Sequence, residues 1–165
     1  MAQEIERKFL VQGQEWRGQA VGRLYRQGYL STTGGMTVRV RIVETQAYLT
    51  LKGPSRGATR AEFEYAIPLT DAQEILATLC CGPQIEKYRY AIAVGELVWE
   101  VDEFRGDNQG LILAEVELSQ EGQYVPLPAW IGAEVTGDRR YDNASLAQYP
   151  YGRWGKEDQP SASPH

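Results

Sequence analysis

Histidine and cysteine are nearly missing from this sequence. Its 165 residues include one histidine, His165, at the last position, and two adjacent cysteines, Cys80 and Cys81. Ser-His-Asp and Cys-His catalysis and histidine-ligated zinc all need a placed imidazole, so these classes are excluded. Adjacent cysteines match no zinc spacing and are poorly placed for a disulfide, so we expect a structural role. Any bound metal must then have oxygen ligands, which favours Mg²⁺, Mn²⁺ or Ca²⁺.

Long apolar runs and an excess of positive charge are missing as well. No stretch approaches the roughly 18 apolar residues of a membrane span, and the N-terminus mixes acidic and basic residues without an apolar signal segment. A net charge of −5 and a pI near 5.0 argue against a nucleic-acid surface. We therefore expect a cytoplasmic monomer or homodimer with no membrane and no nucleic-acid partner.

Alternation of apolar and polar residues with period two dominates what is present, and this pattern is typical of β-strands. It predicts eight strands, at residues 4–11, 23–30, 37–43, 47–52, 60–67, 84–92, 97–104 and 111–118. One helix is predicted after the fifth strand, with Thr70 as N-cap, Gln73 completing a capping box, and Gly82 and Pro83 as its stop. Eight strands with short connections favour a mainly β (α+β) fold, as a closed barrel or a sandwich.

The chain is long enough for one domain and too short for two typical ones. After the eighth strand the pattern predicts helical or irregular structure, including residues 130–132, and a short segment at 143–147. We expect one domain over residues 1–150. Residues 151–165, which end in a Pro/Ser-rich stretch, are predicted to be a flexible tail.

Charged residues lie two apart in most of the predicted strands and therefore share one face. The acidic pairs are Glu4/Glu6, Glu62/Glu64, Glu100/Asp102 and Glu115/Glu117, the basic pairs are Arg39/Arg41 and Lys87/Arg89, and Lys8 and Lys52 share the phase of their strands. A sheet with one solvated face explains alternation in any single strand. It does not explain why whole pairs carry one sign, because neighbouring like charges repel and gain nothing for folding.

A closed interior that binds a ligand would explain why the charged pairs each carry one sign. Carboxylates and cations in a low-dielectric interior are costly unless each finds a counter-charge. A triphosphate bound together with Mg²⁺ or Mn²⁺ satisfies both groups, since carboxylates hold hard metals and Arg and Lys hold phosphate oxygens. The pattern therefore favours a small, highly charged ligand.

The opening Glu4-x-Glu6-x-Lys8 resembles the E-x-E-x-K signature of the CYTH superfamily, the triphosphate tunnel metalloenzymes. It is followed in order by Arg39-x-Arg41, Thr50-x-Lys52, Glu62-x-Glu64, Lys87-x-Arg89 and the stretches 100–104, 114–117 and 135–143. The resemblance extends from residue 3 to about residue 147. It implies a closed eight-stranded antiparallel β-barrel, or tunnel, with a few peripheral helices.

The resemblance also implies roles for individual residues. The phosphate chain would be bound by Lys8, Arg39, Arg41, Lys52, Lys87 and Arg89. One or two metal ions, Mg²⁺ or Mn²⁺, would be bound by Glu4, Glu6, Glu62, Glu64, Asp102, Glu115 and Glu117. In catalysis, Glu4 and Glu6 would serve a metal-activated water, while Lys8 and Tyr29 would tune that water or the terminal phosphate. Arg56 and Arg60 either join the phosphate site or solubilise a loop.

The activity implied by the resemblance is metal-dependent hydrolysis of inorganic tripolyphosphate to pyrophosphate and orthophosphate. A compact chain with no surplus aromatic cluster favours this substrate over thiamine triphosphate or nucleoside triphosphates, which remain the nearest alternatives. Class IV-type adenylate cyclisation and non-catalytic binding of polyphosphate or nucleotide are further alternatives. The presence of all the acidic pairs favours an enzyme over a binding module.

Overall fold

A computed structural model of the protein describes residues 3–155, which form nine β-strands, two α-helices and three 3-10 turns. In chain order these are β1 (Gln3–Val11), β2 (Arg23–Leu30), β3 (Thr37–Val43), β4 (Gln46–Lys52), β5 (Thr59–Ile67), α1 (Leu69–Thr78), β6 (Cys81–Val94), β7 (Leu97–Phe104), β8 (Ile112–Glu117), β9 (Ile131–Glu134) and α2 (Asn143–Gln148), with 3-10 turns at Gly106–Asn108, Arg139–Tyr141 and Tyr151–Arg153. Neither helix within residues 3–155 has the length and hydrophobicity of a membrane span.

Strands β1 to β8 form a closed antiparallel barrel, which confirms what the family resemblance implies and excludes the sandwich. The strand order is β5-β4-β3-β2-β6-β7-β8-β1, and β1 closes the ring by pairing with β5. Glu4 lies opposite Arg60 of β5. Glu6 and Lys8 lie opposite Glu117 and Glu115 of β8. The first strand is therefore the seam of the barrel, and it carries three of the charged residues singled out above.

A ninth strand lies where helical or irregular structure was expected, so that expectation is wrong. Strand β9 pairs with Phe9 and Val11 of β1, beyond the point where β1 leaves β5. Four residues are too few for alternation to be recognisable in the sequence. The strand forms because the second half of β1 offers an open edge.

The barrel interior is charged around its cavity, but part of it is apolar, because Phe104 and Leu113 share the inward strand faces of Asp102 and Glu115. The outward faces of the strands are mainly apolar. Outward side chains of β1 and β7, among them Phe9 and Trp99, pack with Trp16 and Trp130 from the connecting segments. The Phe9 and Trp99 rings meet edge to face, with centroids 5.5 Å apart. Each of these four side chains is at most 4 % exposed, so this part of the outer barrel surface is buried beneath the connecting segments.

The helix α1 covers the outer face of β3 and β4 through Ala72 and Leu76. Its beginning differs from the prediction: Pro68 is the N-cap, and no side chain caps the helix, so the Thr70–Gln73 capping box is wrong. The predicted stop is also wrong, because the helix ends before residues 82 and 83, which open β6. Proline is tolerated at the beginning of a strand, where its missing N–H costs little.

The last part of the chain that the structure describes, residues 139–155, packs against the barrel. Tyr141, Leu146 and Trp154 form a cluster with Phe104 and Leu113 of the sheet. Trp154 is 5 % exposed, and its ring centroid lies 5.3 Å from that of Tyr141. The tail boundary predicted at residue 151 is therefore too early, since residues 151–155 are anchored by this indole. The rest of the predicted tail, residues 156–165, lies outside the described residues.

Candidate active site

The barrel encloses a cavity of about 520 Å³. Alternation turns every second side chain of each strand into this space. The predicted site residues that line it are Glu4, Glu6, Lys8, Tyr29, Arg39, Arg41, Lys52, Glu62, Glu64, Lys87, Arg89, Glu115 and Glu117. The structure thus gathers the charged face of the strands in one interior, and Asp102 alone of the predicted set does not line it.

One group of carboxylates in the cavity surrounds Lys52. Its Nζ lies 2.8 Å from Glu4 Oε2 and 3.4 Å from Glu62 Oε2. Burial alone would raise the pKa of Glu4, but a hydrogen bond with Glu6 and the charge of Lys52 outweigh it and lower the pKa to about 2. Glu4 is therefore an anion at every physiological pH. Its Oε2 makes no hydrogen bond of good geometry within residues 3–155, despite the short distance to Lys52.

Glu6 lies in the most crowded part of this acidic group. Burial, followed by the charges of Glu115 and Glu4, raises its pKa well above the usual value. Glu115 has a cationic neighbour instead, with Lys8 Nζ at 3.9 Å. Burial would raise the pKa of Glu115, but the charges of Lys8 and Arg89 outweigh it and hold the pKa far below the usual value. The acidic group therefore contains more carboxylates than its cations neutralise.

The carboxylates fit a hard divalent cation by the chemistry of their donors. Two observations support that fit: carboxylates crowd Glu6, and Glu4 and Glu62 share the single ammonium group of Lys52. Over residues 3–155, no three acidic, cysteine or histidine side chains are already gathered as a metal-binding cluster. The protein supplies the oxygens for a cation but not a complete cage.

Cations crowd the part of the cavity wall that β3 and β6 form. Lys87 is 1 % exposed, and burial with the charges of Arg89 and Arg41 lowers its pKa to about 7, although Asp102 acts in the opposite sense. Burial, together with the charges of Arg39 and Arg89, lowers the pKa of Arg41 to about 9. These cations repel one another, and a bound polyanion would relieve that repulsion.

Asp102 lies behind this cationic wall. One of its oxygens accepts a hydrogen bond from Arg89 Nε at 2.7 Å, and the other accepts from Arg89 Nη2 at 2.8 Å and from Lys87 Nζ at 2.7 Å. Asp102 is 1 % exposed, and both oxygens are engaged. The expectation that it helps to bind a metal ion disagrees with these surroundings, because it already holds two cations in place.

Two amides that belong to none of the charged pairs contact these cations, Asn143 at the cavity wall and Gln27 behind it. Gln27 comes from β2, where alternation places it on the same face as Tyr29, so the pattern contained that signal. Asn143 begins α2, and its Oδ1 accepts a hydrogen bond from Lys87 Nζ at 2.8 Å. No strand pattern points to Asn143, since the fold alone brings it to the end of the barrel.

Arg56 and Arg60, which lie near the fourth and fifth strands, have different positions relative to the cavity. Arg60 lines the cavity, and its guanidinium donates to the Gly53 carbonyl oxygen at 2.9 Å and to Thr37 Oγ1 at 3.3 Å. Arg56 does not line the cavity. Arg60 therefore belongs to the mouth of the site, whereas Arg56 belongs to the loop.

A closed antiparallel barrel whose interior carries both carboxylates and cations is the tunnel architecture that the sequence motifs imply. Consistent with this, residues 2–149 match the CYTH domain family, and the chain belongs to that family.

Among its relatives is an inorganic triphosphatase of Acetivibrio thermocellus, 50 % identical over 151 residues, or 92 % of this chain and 97 % of the relative. An inorganic triphosphatase of Nitrosomonas europaea is 40 % identical over 87 % of this chain and 96 % of the relative. The solved structure of the inorganic triphosphatase NE1496 aligns with a TM-score of 0.64 and 36 % identity, over 89 % of this chain and 95 % of that one.

Proposed function

We propose that this protein hydrolyses inorganic tripolyphosphate to pyrophosphate and orthophosphate inside the barrel, with Mg²⁺ or Mn²⁺. Two opposed imbalances in one cavity carry the proposal: carboxylates crowd Glu6, while cations crowd Lys87 and Arg41. A phosphate chain with a divalent cation supplies both missing counter-charges. The names of the relatives that are 50 % and 40 % identical support the choice of substrate.

The phosphate chain is bound by the cations of the cavity, namely Lys8, Arg39, Arg41, Lys52, Lys87 and Arg89. Guanidinium groups bind phosphate oxygens through paired N–H donors in a fixed geometry. Asp102 orients Arg89 and Lys87 from behind, and Thr50 Oγ1 accepts from Arg39 Nη2 at 3.1 Å. These contacts fix the cations before the substrate arrives, so little reorganisation is needed on binding.

The carboxylates proposed to hold the metal are Glu4, Glu6, Glu62, Glu64, Glu115 and Glu117. A divalent cation held there would neutralise phosphate oxygens and would lower the pKa of a water bound to it. Glu4 and Glu6 would lie on the side of the attacking water, whereas Lys8 and Tyr29 would present donors to the terminal phosphate. In the proposed hydrolysis a bond forms between the water oxygen and the terminal phosphorus, the bridging P–O bond breaks, pyrophosphate leaves with the bridging oxygen, and the proton of the water passes to solvent; the chain contributes positioning and neutralisation of charge.

Phosphate release tests the proposal directly. Tripolyphosphate, ATP and thiamine triphosphate are compared with Mg²⁺, with Mn²⁺ and with EDTA, using the wild type, Glu4→Gln and Glu134→Gln. Glu134 is the matched control, since it binds Arg7 at 2.7 Å on the outside of the barrel. We expect turnover of tripolyphosphate that needs a divalent cation, is lost in Glu4→Gln and survives in Glu134→Gln.

Turnover of ATP or thiamine triphosphate in preference to tripolyphosphate would overturn the choice of substrate. Binding without any phosphate release would overturn hydrolysis itself, and cyclic AMP formation from ATP would then indicate a cyclase. The cytoplasmic location and the state as monomer or homodimer stay predictions.

A further inference from the structure

We propose that Gln27 is a positioning residue that makes the Tyr29 hydroxyl a hydrogen-bond donor to the phosphate chain. The proposal rests on the proposed function for the identity of the ligand. Gln27 is completely buried in β2, with its side chain between the cationic wall and Tyr29. A buried amide is stable only if its polar atoms have hydrogen-bond partners, so the partners of Gln27 indicate its role.

The Gln27 amide has a hydrogen-bond partner on each side. Its Oε1 accepts from Arg41 Nε at 2.8 Å. Its Nε2 donates to the Tyr29 hydroxyl oxygen at 2.6 Å and to Asn143 Oδ1 at 3.3 Å. One acceptor and two donors are thus in use, and nothing in the amide is left to contact substrate.

The chemistry of Arg41 fixes the orientation of this amide. A guanidinium N–H can only donate, so the atom facing it must be the amide oxygen. The amide NH₂ must then face Tyr29, and the phenol oxygen can only accept from it. The phenol proton is left over. Within residues 3–155 the Tyr29 hydroxyl donates to no protein group, and its side chain lines the cavity.

The local backbone holds Gln27 and Tyr29 in this relation. The pairing of β2 with β6 shifts between these two residues, which marks an irregularity in the ladder. Gly28 lies at that point and faces α1, where an added Cβ would come within 2.8 Å of both Leu76 and Cys80. The outer side of β2 is therefore packed closely against α1 at Gly28. This packing keeps the side chains of Gln27 and Tyr29 on the inner side of the strand.

A phosphate oxygen is an acceptor only, so the spare phenol proton has a matching partner in the proposed substrate. Gln27 acts through Tyr29, and removing the amide frees the hydroxyl to rotate or to donate elsewhere. The carboxylate variant Gln27→Glu is the sharper perturbation. It still accepts from Arg41, but it also accepts the Tyr29 proton and so reverses the hydrogen bond.

A double-mutant cycle on binding tests this relation without relying on turnover. Tripolyphosphate is titrated in EDTA by calorimetry into the wild type, Tyr29→Phe, Gln27→Met, Gln27→Glu and the two combinations with Tyr29→Phe. Tyr29→Phe should weaken binding about 10-fold in the wild-type background, the value of a hydrogen bond to a charged group. In both Gln27 backgrounds, the same change should weaken binding less than about 2-fold.

Tyr48 provides the matched control, since it lines the same cavity but its hydroxyl donates to Gln46 at 2.8 Å. The effects of Tyr48→Phe and Gln27→Met should multiply. Thermal unfolding identifies any variant that fails to fold, and Gln27→Glu, which preserves shape, keeps the cycle usable if Gln27→Met does not fold.

An equal loss from Tyr29→Phe in all three backgrounds would overturn the proposal, and so would the absence of tripolyphosphate binding by the wild type. Coupled binding effects in a protein that releases no phosphate would support the role of Gln27 while overturning the proposed hydrolysis. The two failures are therefore distinguishable.

Discussion

Replacing Asp102 by asparagine perturbs the anchor of the cationic wall while preserving its shape. Asp102 accepts three hydrogen bonds of 2.7–2.8 Å from Arg89 and Lys87, and it is 1 % exposed. Removing one partner of a buried ion pair costs about 3–5 kcal/mol, since the other charge is left uncompensated. Because asparagine keeps one acceptor, we expect the free energy of unfolding to fall by about 3 kcal/mol. For a domain of this size this lowers the Tm by about 10 °C.

The measurement is thermal and urea unfolding in EDTA, with and without tripolyphosphate. The variant leaves Arg89 and Lys87 short of negative charge, and a bound polyanion restores part of it. Because a ligand stabilises according to its affinity for the native state, the rise in Tm on adding tripolyphosphate should be larger in Asp102→Asn than in the wild type. The neighbouring Glu103→Gln is the control. It breaks a half-exposed ion pair with Arg17, of 2.8 Å, and should cost less than about 1 kcal/mol.

The opposite pattern would refute this role of Asp102. If it were a metal ligand, the metal-free protein would unfold at nearly the same temperature in both forms. The variant would then need a higher Mg²⁺ or Mn²⁺ concentration for turnover. A stability loss as small as that of Glu103→Gln would exclude an anchoring function.

Three further predictions concern single residues. The pKa of Lys87 is lowered to about 7, so this side chain loses its positive charge as the pH rises, and the KM for tripolyphosphate should rise between about pH 6 and pH 8. Lys87→Arg should flatten that rise. The same pH profile in Lys87→Arg and in the wild type would contradict the role of Lys87 in binding phosphate. The raised pKa of Glu6 makes its ionisation unfavourable to folding, so Glu6→Gln should stabilise the metal-free protein more at pH 8 than at pH 5, because the penalty for an ionised Glu6 grows as the pH rises. Equal shifts in Tm at the two pH values would count against this. Trp154→Ala should cost about 3 kcal/mol in urea unfolding, and a loss below about 1 kcal/mol would show that residues 151–155 do not anchor the C-terminal segment.

The strands and their inward residues could be predicted from sequence because alternation is a local property. Pairs such as Arg39 and Arg41 reveal both a strand and the face that it turns inward. Closure of the sheet follows less directly, since a sandwich shows the same alternation. The resemblance to a known family, rather than periodicity, identified the barrel.

The parts that sequence did not predict depend on contacts between distant segments. β9 forms on the open edge of β1, and Asn143 reaches Lys87 from outside any strand. The charge of Asp102 suggested a metal ligand, whereas the structure places its carboxylate against two cations, Lys87 and Arg89. Composition identifies a carboxylate but not its partners.

The pairing of β1 has a consequence for how the chain folds during synthesis. This strand precedes the other eight described strands in the chain, yet its Glu6 pairs with Glu117 of β8 and its Phe9 pairs with Glu134 of β9. Pairings of such high contact order are slow to form, and domains of this kind expose unpaired edges while they wait. The hairpins of β2–β3, β3–β4 and β6–β7 are local and can form earlier. We therefore expect β1 to join late, and the site to be complete only when this strand brings Glu4, Glu6 and Lys8 into the closed barrel.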